Sequence, residues 1–146
     1  MLTEHFSLEQ LTASGIALRR GIPNVPNDEQ IQHLTLLAQT LEQLRSLLGP
    51  IHIDSAFRSP EVNAAVGGSA HSAHLEGYAC DFTVPGFGTP LEVCEAIQSS
   101  GIPYDQLIQE GGERGWTHLS VAPSMRQETL TAHFEGGKVS YTTGLA

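Results

Sequence analysis

The stretch Ser72-Ala73-His74-Leu75-Glu76-Gly77-Tyr78-Ala79-Cys80-Asp81 decides the fold, because it predicts a loop that enters a strand. The seven-residue step from His74 to Asp81 is too long for one helical turn, and Gly77 supplies the bend between them. From residue 79 to residue 84 the side chains alternate in character, as in a strand. Asp81 therefore faces one side of this strand and its two neighbours face the other. A carboxylate in that position needs a partner.

The stretch Trp116-Thr117-His118-Leu119-Ser120 provides a second histidine in a second predicted strand. Zinc binds imidazole nitrogen and carboxylate oxygen, and a catalytic zinc site uses three protein ligands and leaves the fourth position to water. His74, Asp81 and His118 match this ligand set. Taken alone, such residues are more often a turn aspartate and two unrelated surface histidines, so the zinc hypothesis depends on the wider pattern.

Five motifs recur in the same order as in a known family: Ser55-Ala56-Phe57-Arg58-Ser59-Pro60-Glu61-Val62-Asn63, Gly67-Gly68, Ser72-x-His74-x-x-Gly77-x-Ala79-x-Asp81, Tyr104-Asp105-Gln106-Leu107-Ile108-x-Glu110 and Trp116-x-His118-x-Ser120. The chain resembles the M15 zinc peptidases, which include D-alanyl-D-alanine carboxypeptidases and phage-associated murein peptidases. The resemblance is strong over residues 55–121, and residues 6–48 are similar to the leader helices of the phage-type branch. It implies an α+β fold shared with the hedgehog signalling domain, with a small antiparallel sheet backed by helices, and a zinc ion bound by His74, Asp81 and His118.

The resemblance also implies residues that contact the substrate. Arg58 offers a planar guanidinium fork for a carboxylate or a peptide carbonyl, although a lone arginine is more often a surface salt-bridge partner. Ser72 matches a position where a hydroxyl touches substrate, although a lone serine is more often a turn residue. Trp116 shares a strand face with His118, and it either lines the substrate pocket or belongs to the core.

The candidate general base departs from the family pattern. In several M15 branches an acidic residue lies three positions before the last zinc histidine, but here that position is Gly115. Glu110, at the end of a predicted strand, and Glu113, in the following glycine-rich turn, are the two candidates. We favour Glu110, because a strand end is stiffer than a turn and a base must be positioned. His71 lies close to His74 in sequence, but the family pattern places only His74 among the ligands.

Composition fits one compact enzyme. At 146 residues and 40% hydrophobic, the chain suits a single domain of residues 1–146, with a helical part (1–49) and a sheet-containing catalytic core (50–146). The formal net charge of -9 argues against nucleic acid as a partner, since phosphate binding requires a surplus of lysine and arginine. We expect a monomer.

The expected cellular location depends on two sequence signals, a signal peptide and a membrane-spanning segment. The chain has no signal-peptide pattern and no apolar run long enough to cross a bilayer, so we expect synthesis in the cytoplasm and no membrane partner. It would then act on the cell wall after release or as part of a phage particle, beside tail or lysis components. Cys80 and Cys94 lie in different predicted elements, which favours two reduced, buried thiols.

Three helix starts carry a short oxygen-bearing side chain three residues before a glutamine or glutamate, as in a capping box: Ser7 with Gln10, Asn27 with Gln30, and Thr89 with Glu92. Apolar residues recur at steps of three and four from Ile31 to Leu48, which predicts one long amphipathic helix that backs the sheet. Strands are predicted over residues 51–57, 79–84, 106–110 and 116–121. A C-terminal hairpin is predicted over residues 129–134 and 139–143.

These observations predict a zinc metallopeptidase that hydrolyses an amide bond of peptidoglycan stem peptides with metal-activated water. It would be a D-Ala-D-Ala carboxypeptidase or a murein endopeptidase. A different class stays open, a non-catalytic phage structural or wall-binding module that keeps zinc for stability, because the family acid is missing at Gly115.

Overall fold

Helices form the first third of the chain and one side of the fold. The computed structural model describes residues 1–145. These residues form five α-helices: α1 (Leu8–Thr12), α2 (Gly15–Arg20), α3 (Asp28–Leu48), α4 (Pro60–Ala65) and α5 (Pro90–Ser100). No helix of the described part is long and apolar enough to cross a membrane.

The predicted caps determine where three of these helices begin. Ser7, Asn27 and Thr89 each accept a hydrogen bond from the backbone N–H three residues on, and the side chain of that third residue returns to the cap backbone. All three capping boxes are therefore confirmed, with Pro90 in the first turn of α5. The long helix predicted from the apolar steps is α3.

In the described part of the chain, six strands form one sheet in the order β1-β2-β4-β3-β5-β6. They are β1 (His52–Ser55), β2 (Ala79–Thr83), β3 (Gln106–Glu110), β4 (Trp116–Ser120), β5 (Glu128–Glu135) and β6 (Lys138–Thr143). Every predicted strand is present, and the last two form the predicted hairpin. The α+β prediction is confirmed.

One strand pairing differs from the expected antiparallel sheet. β3 and β5 are parallel, while the other four pairings are antiparallel. The reason is that β4 already has β2 and β3 on its two edges. The chain leaving β4 turns back along the free edge of β3, so it runs antiparallel to β4 and hence parallel to β3.

The two faces of the sheet have different environments. Leu34, Leu37 and Leu41 of α3 pack in one core with alternate sheet residues such as Phe82 and Leu119. Cys80 and Cys94 lie in this core as free, buried thiols, as predicted, and burial raises the pKa of Cys94 to about 12. The helices thus cover one face of the sheet, and the intervening side chains of β2, β3 and β4 occupy the other.

Candidate metal centre

The loop before β2 is bent and held against α3. Residues Ala73–Glu76 form a 3-10 turn, and the Ser72 hydroxyl accepts a hydrogen bond from the His74 N–H at 3.2 Å. Gly77 then adopts a left-handed conformation with φ of 81°, and a Cβ atom there would lie 2.9 Å from the Gln30 carbonyl oxygen of α3. The bend predicted at Gly77 is confirmed, and close approach to α3 adds a second reason for glycine.

His33 of α3 reinforces this contact, which the sequence pattern did not indicate. Its Nδ1 donates to the Glu76 carbonyl oxygen at 2.6 Å, and its Nε2 lies 2.9 Å from the Tyr78 hydroxyl. The His33 and Tyr78 rings also stack, with centroids 4.0 Å apart. The helix therefore contacts the site loop on both sides of Gly77.

The three predicted ligands converge on the face of the sheet away from the core. Asp81 and His118 are register partners on β2 and β4, and His74 enters from the preceding loop. Asp81 Oδ1 lies 3.3 Å from His74 Nε2 and 2.9 Å from His118 Nδ1. One ligand atom from each of the three residues lies within 4.8 Å of the others, and His74 and Asp81 are buried.

A hydrogen bond to the backbone fixes the orientation of the His74 ring. Its Nδ1 donates a hydrogen bond to the Ala56 carbonyl oxygen at 2.6 Å, so Nε2 is the ring nitrogen directed at Asp81. Metal-bound histidines usually make such a bond with their other ring nitrogen, because it selects the tautomer and holds the ring in place. His74 is therefore prepared as a ligand through Nε2.

The segment that presents the Ala56 carbonyl is itself tied to the N-terminal helices. The next residue, Phe57, donates its N–H to the Leu11 carbonyl oxygen at 2.9 Å. The Asn24 side chain joins the carbonyl oxygens of Thr12 and Phe57, at 2.8 and 3.1 Å, and accepts from the Ser59 N–H at 2.7 Å. Residues before α3 thus help to position the acceptor of His74.

Asp81 stays ionised in spite of its burial. Burial acts to raise the pKa of Asp81, but hydrogen bonds from His118 and His74 outweigh it and hold that pKa well below its usual range. Arg58 adds a 3.2 Å ion pair from Nη2 to Asp81 Oδ2. The carboxylate therefore offers Oδ1 to the centre between the histidines, while Oδ2 is occupied by the guanidinium.

Two imidazole nitrogens and one carboxylate oxygen form a donor set that suits zinc. His74 directs Nε2 at the centre and Asp81 is ionised, and metal binding uses such donor atoms. The residues present therefore fit a zinc ion.

Arg58 is less exposed than a surface salt-bridge residue. Its Nε donates to Ser55 at 3.2 Å and its Nη1 donates to Asn63 at 3.2 Å, in addition to the bond with Asp81. A guanidinium has five N–H groups, so two remain for another partner. Asn63, which also donates to the Ser69 carbonyl oxygen, is a supporting residue that no sequence pattern singled out.

Glu110 lies on the same sheet face as the ligands. It follows Ile108, the register partner of His118, by two residues, and it pairs with Trp116. Trp116 Nε1 donates to Glu110 Oε2 at 2.7 Å. Burial raises the pKa of Glu110, and the charge of Asp81 adds to this, although His118 and the Trp116 hydrogen bond oppose it. Glu110 is thus a partly buried carboxylate with a fixed orientation.

Glu113 has a different environment. It is exposed and lies in the short 3-10 turn Gly112–Arg114 between β3 and β4. His71 is also exposed, at the start of the site loop. Of the two candidate bases, Glu110 is the one oriented by a hydrogen bond from Trp116, which lies on the same strand as His118.

The backbone explains why an acid cannot occupy residue 115. A Cβ atom built on Gly115 would overlap the backbone carbonyl oxygen of Glu110, and it would also crowd the carbonyl carbon of Gly111. The tight turn between β3 and β4 therefore requires glycine at this position. The chain therefore departs from the family pattern at Gly115, and Glu110 is a candidate base at the end of the adjacent strand β3.

Comparison with known proteins identifies the family. The family model described as Peptidase M15 matches residues 4–120, which is most of the chain. The chain belongs to the Peptidase M15 family. Members are usually zinc-dependent, in agreement with the His74, Asp81 and His118 cluster. No curated protein sequence matches the chain significantly.

Proposed function

We propose that the protein is a zinc metallopeptidase that hydrolyses an amide bond in peptidoglycan stem peptides, as a D-Ala-D-Ala carboxypeptidase or a murein endopeptidase. One observation carries the proposal: the zinc ligands and the oriented carboxylate of Glu110 share one face of the sheet, in a chain of a peptidase family. An amide hydrolase needs both a metal site and a proton acceptor near it.

His74 Nε2, Asp81 Oδ1 and His118 Nδ1 would hold the zinc. When bound, zinc supplies Lewis acidity, which polarises the amide carbonyl and lowers the pKa of a water molecule. Glu110 accepts the proton of the attacking water at its carboxylate and returns it to the leaving nitrogen. Burial raises the pKa of Glu110 above its ordinary value, and this makes the carboxylate a better proton acceptor than an exposed one.

Arg58 and Ser72 would hold the substrate on the other side of the ligands. The two unused N–H groups of Arg58 can donate to a carboxylate or a carbonyl oxygen, as a terminal D-alanine or a peptide bond would supply. Ser72 is part-buried at the loop entrance, two residues before His74; its oxygen accepts a hydrogen bond in the turn, and a hydroxyl that accepts can also donate to a substrate oxygen. Both groups suit an anionic peptide.

The alternative of a non-catalytic zinc module depended on the missing acid at residue 115. A carboxylate on the sheet face of the metal ligands, held by a hydrogen bond from Trp116, supports Glu110 as the base in place of that acid. We therefore do not favour a purely structural role for the metal.

The test is digestion of purified peptidoglycan with and without a chelator, followed by mass spectrometry of the released fragments. We expect release that stops with the chelator and returns with added zinc, and the fragment masses identify the bond. Glu110→Gln should lower the rate about a hundred-fold or more and retain zinc. The matched variant Glu113→Gln should leave it unchanged. Absence of any released fragment from zinc-loaded protein would refute the proposal.

A further inference from the structure

Helix α3 holds the ligand turn, the 3-10 turn Ala73–Glu76 that presents one of the three candidate metal ligands. The last carbonyl groups of a helical turn have no partner within it and need one from outside. The Gln30 side-chain amide donates to the Leu75 carbonyl oxygen at 3.2 Å, and His33 Nδ1 donates to the Glu76 carbonyl oxygen at 2.6 Å. Two consecutive carbonyl groups at the end of the ligand turn are therefore bound to side chains of α3.

The His33 ring also contacts the chain just after the ligand turn. It stacks on the Tyr78 ring with centroids 4.0 Å apart and an interplanar angle of 17°. Because Nδ1 is the donor to the Glu76 carbonyl, the neutral ring accepts at Nε2 from the Tyr78 hydroxyl, at 2.9 Å. Leu34, the next residue of α3, is fully buried in the core, so the backbone that presents His33 is anchored.

Backbone hydrogen bonds make the ligand turn move as one unit. The Gly77 N–H donates to the His74 carbonyl oxygen at 3.4 Å, and the Tyr78 N–H donates to the Ala73 carbonyl oxygen at 3.1 Å. A shift of the backbone at Glu76 is therefore transmitted to His74, which lies two residues earlier in the same turn.

The contacts of His74 itself do not replace the contact with α3. The Ala56 carbonyl oxygen accepts from the ring Nδ1 at 2.6 Å, and the Arg58 N–H donates to the His74 carbonyl oxygen at 3.1 Å. These bonds act at one residue, so the end of the turn could still tilt about it if α3 released the turn. A tilt would change the 3.3 Å separation of His74 Nε2 and Asp81 Oδ1, the two donor atoms that a metal must bridge.

We propose that His33 is a positioning residue of the metal centre, which holds the ligand turn in place and thereby slows the release of a bound zinc ion. The inference rests on the metal site of the proposed function, and it holds whichever amide bond is cleaved. Removal of a contact that orients a ligand typically lowers metal affinity by about ten-fold to a hundred-fold. Because His33 acts through the backbone of the turn, we expect the lower end of that range.

The competing explanation is that His33 contributes to packing alone. Its loss would then lower the stability of the metal-free and the zinc-loaded protein equally, because an unchanged zinc affinity adds the same stabilisation to both wild type and variant. Zinc would also leave the folded variant at the wild-type rate.

The experiment measures the rate at which zinc leaves the folded protein, by transfer to an excess of a chromophoric chelator. His33→Ala should release zinc about ten-fold faster than the wild type. His33→Asn keeps an N–H near the position of Nδ1 but loses the bond with Tyr78, so its rate should lie between the two. His5→Ala is the matched control, since His5 Nδ1 also bonds to α3, at 2.7 Å from Glu42, and it should release zinc at the wild-type rate.

Tyr78→Phe tests the same contact from the other partner. It removes one oxygen atom and keeps the stacked ring. It should speed zinc release in the wild-type background and have no further effect in His33→Asn, because both changes remove the same hydrogen bond. Cobalt(II) in place of zinc gives a second readout, since its visible absorption depends on the geometry of its ligands. The cobalt bands should shift in His33→Ala and stay unchanged in His5→Ala.

Zinc release at the wild-type rate from folded His33→Ala, with unchanged cobalt bands, would overturn the inference and leave the peptidase proposal intact. Additive effects of His33→Asn and Tyr78→Phe would also overturn it. If His33→Ala does not fold, the release rates of the other two variants decide. A wild-type protein that binds zinc but hydrolyses no peptide refutes the peptidase proposal, and the same release rates still decide the role of His33.

Discussion

Loss of the hydrogen bond from Trp116 to Glu110 should shift the pH dependence of kcat/KM. Trp116→Phe removes the indole N–H, which lies 2.7 Å from Glu110 Oε2, and keeps an aromatic ring against Phe134. The bond stabilises the ionised form of Glu110. Burial already raises the pKa of this carboxyl, and loss of the donor raises it further. A larger fraction of the base is then protonated at low pH.

The size of the effect follows from the type of bond. A hydrogen bond to a charged group contributes about 1.5 kcal/mol or more. About 1.4 kcal/mol corresponds to one pH unit, so the acid limb of the kcat/KM profile should move to higher pH by about one unit. On that limb Trp116→Phe should be about ten-fold slower than the wild type. At higher pH, where Glu110 is ionised in both proteins, the rates should converge.

The assay is a pH profile of kcat/KM on a defined peptide, with zinc content measured at each pH. Unchanged zinc content shows that the comparison concerns Glu110 and not the nearby ligand His118. A profile of unchanged shape in Trp116→Phe, with or without a uniform loss of rate, would refute the reasoning, because Trp116 would then act as a pocket wall alone.

Three other changes test separate parts of the structure. His74→Ala, Asp81→Ala and His118→Ala should each lose the roughly one zinc per chain that the exposed control His71→Ala retains; full zinc in all three by metal analysis would contradict the site. Arg58→Lys keeps the charge but loses the fork that contacts Ser55, Asn63 and Asp81, so kcat/KM should fall about ten-fold or more, and wild-type efficiency in both Arg58→Lys and Arg58→Ala would exclude a role in substrate binding. Asp105→Asn should lower the free energy of unfolding by about 1–3 kcal/mol in urea at pH 7, because the buried carboxylate accepts bonds from Arg126 and Ser120. Hydrogen bonds from Arg126 lower the pKa of Asp105, so this stabilisation is present above the ordinary carboxyl pKa and should disappear as the pH falls below it; an equal deficit at all pH values would contradict the assignment.

Local sequence signals predicted the parts of the fold that depend on neighbouring residues. The capping boxes at Ser7, Asn27 and Thr89 predicted helix starts, since the side chain and the N–H that it bonds lie three residues apart. Helices α2 and α4 were not predicted, because six residues are too few to show an apolar period. The parallel pairing of β3 and β5 was missed because it depends on which sheet edge was free.

In the candidate site, too, local motifs predicted some residues, while contacts between distant residues were not predicted. The ligand set was predicted from His74, Asp81 and His118, because their motifs restrict the residue types. The supporting contacts were not: the Ala56 carbonyl is a backbone atom with no signature, and His33 lies more than forty residues before its partner Tyr78. The reason for Gly115 also required coordinates, because the clash that forbids a side chain involves the backbone of Glu110.

The link from Leu11 through Phe57 to the carbonyl that holds His74 limits how this enzyme can be recombined with its relatives. A chimera joined between α3 and β1 would combine Leu11 of one parent with Ala56 and His74 of the other. A mismatch between them would appear as weakened metal affinity. Within residues 1–145 no hydrogen bond joins the β5–β6 hairpin to His74, Asp81 or His118, and β6 is exposed along its length. Exchange of that hairpin is therefore the recombination that keeps the metal ligands and their supports from a single parent.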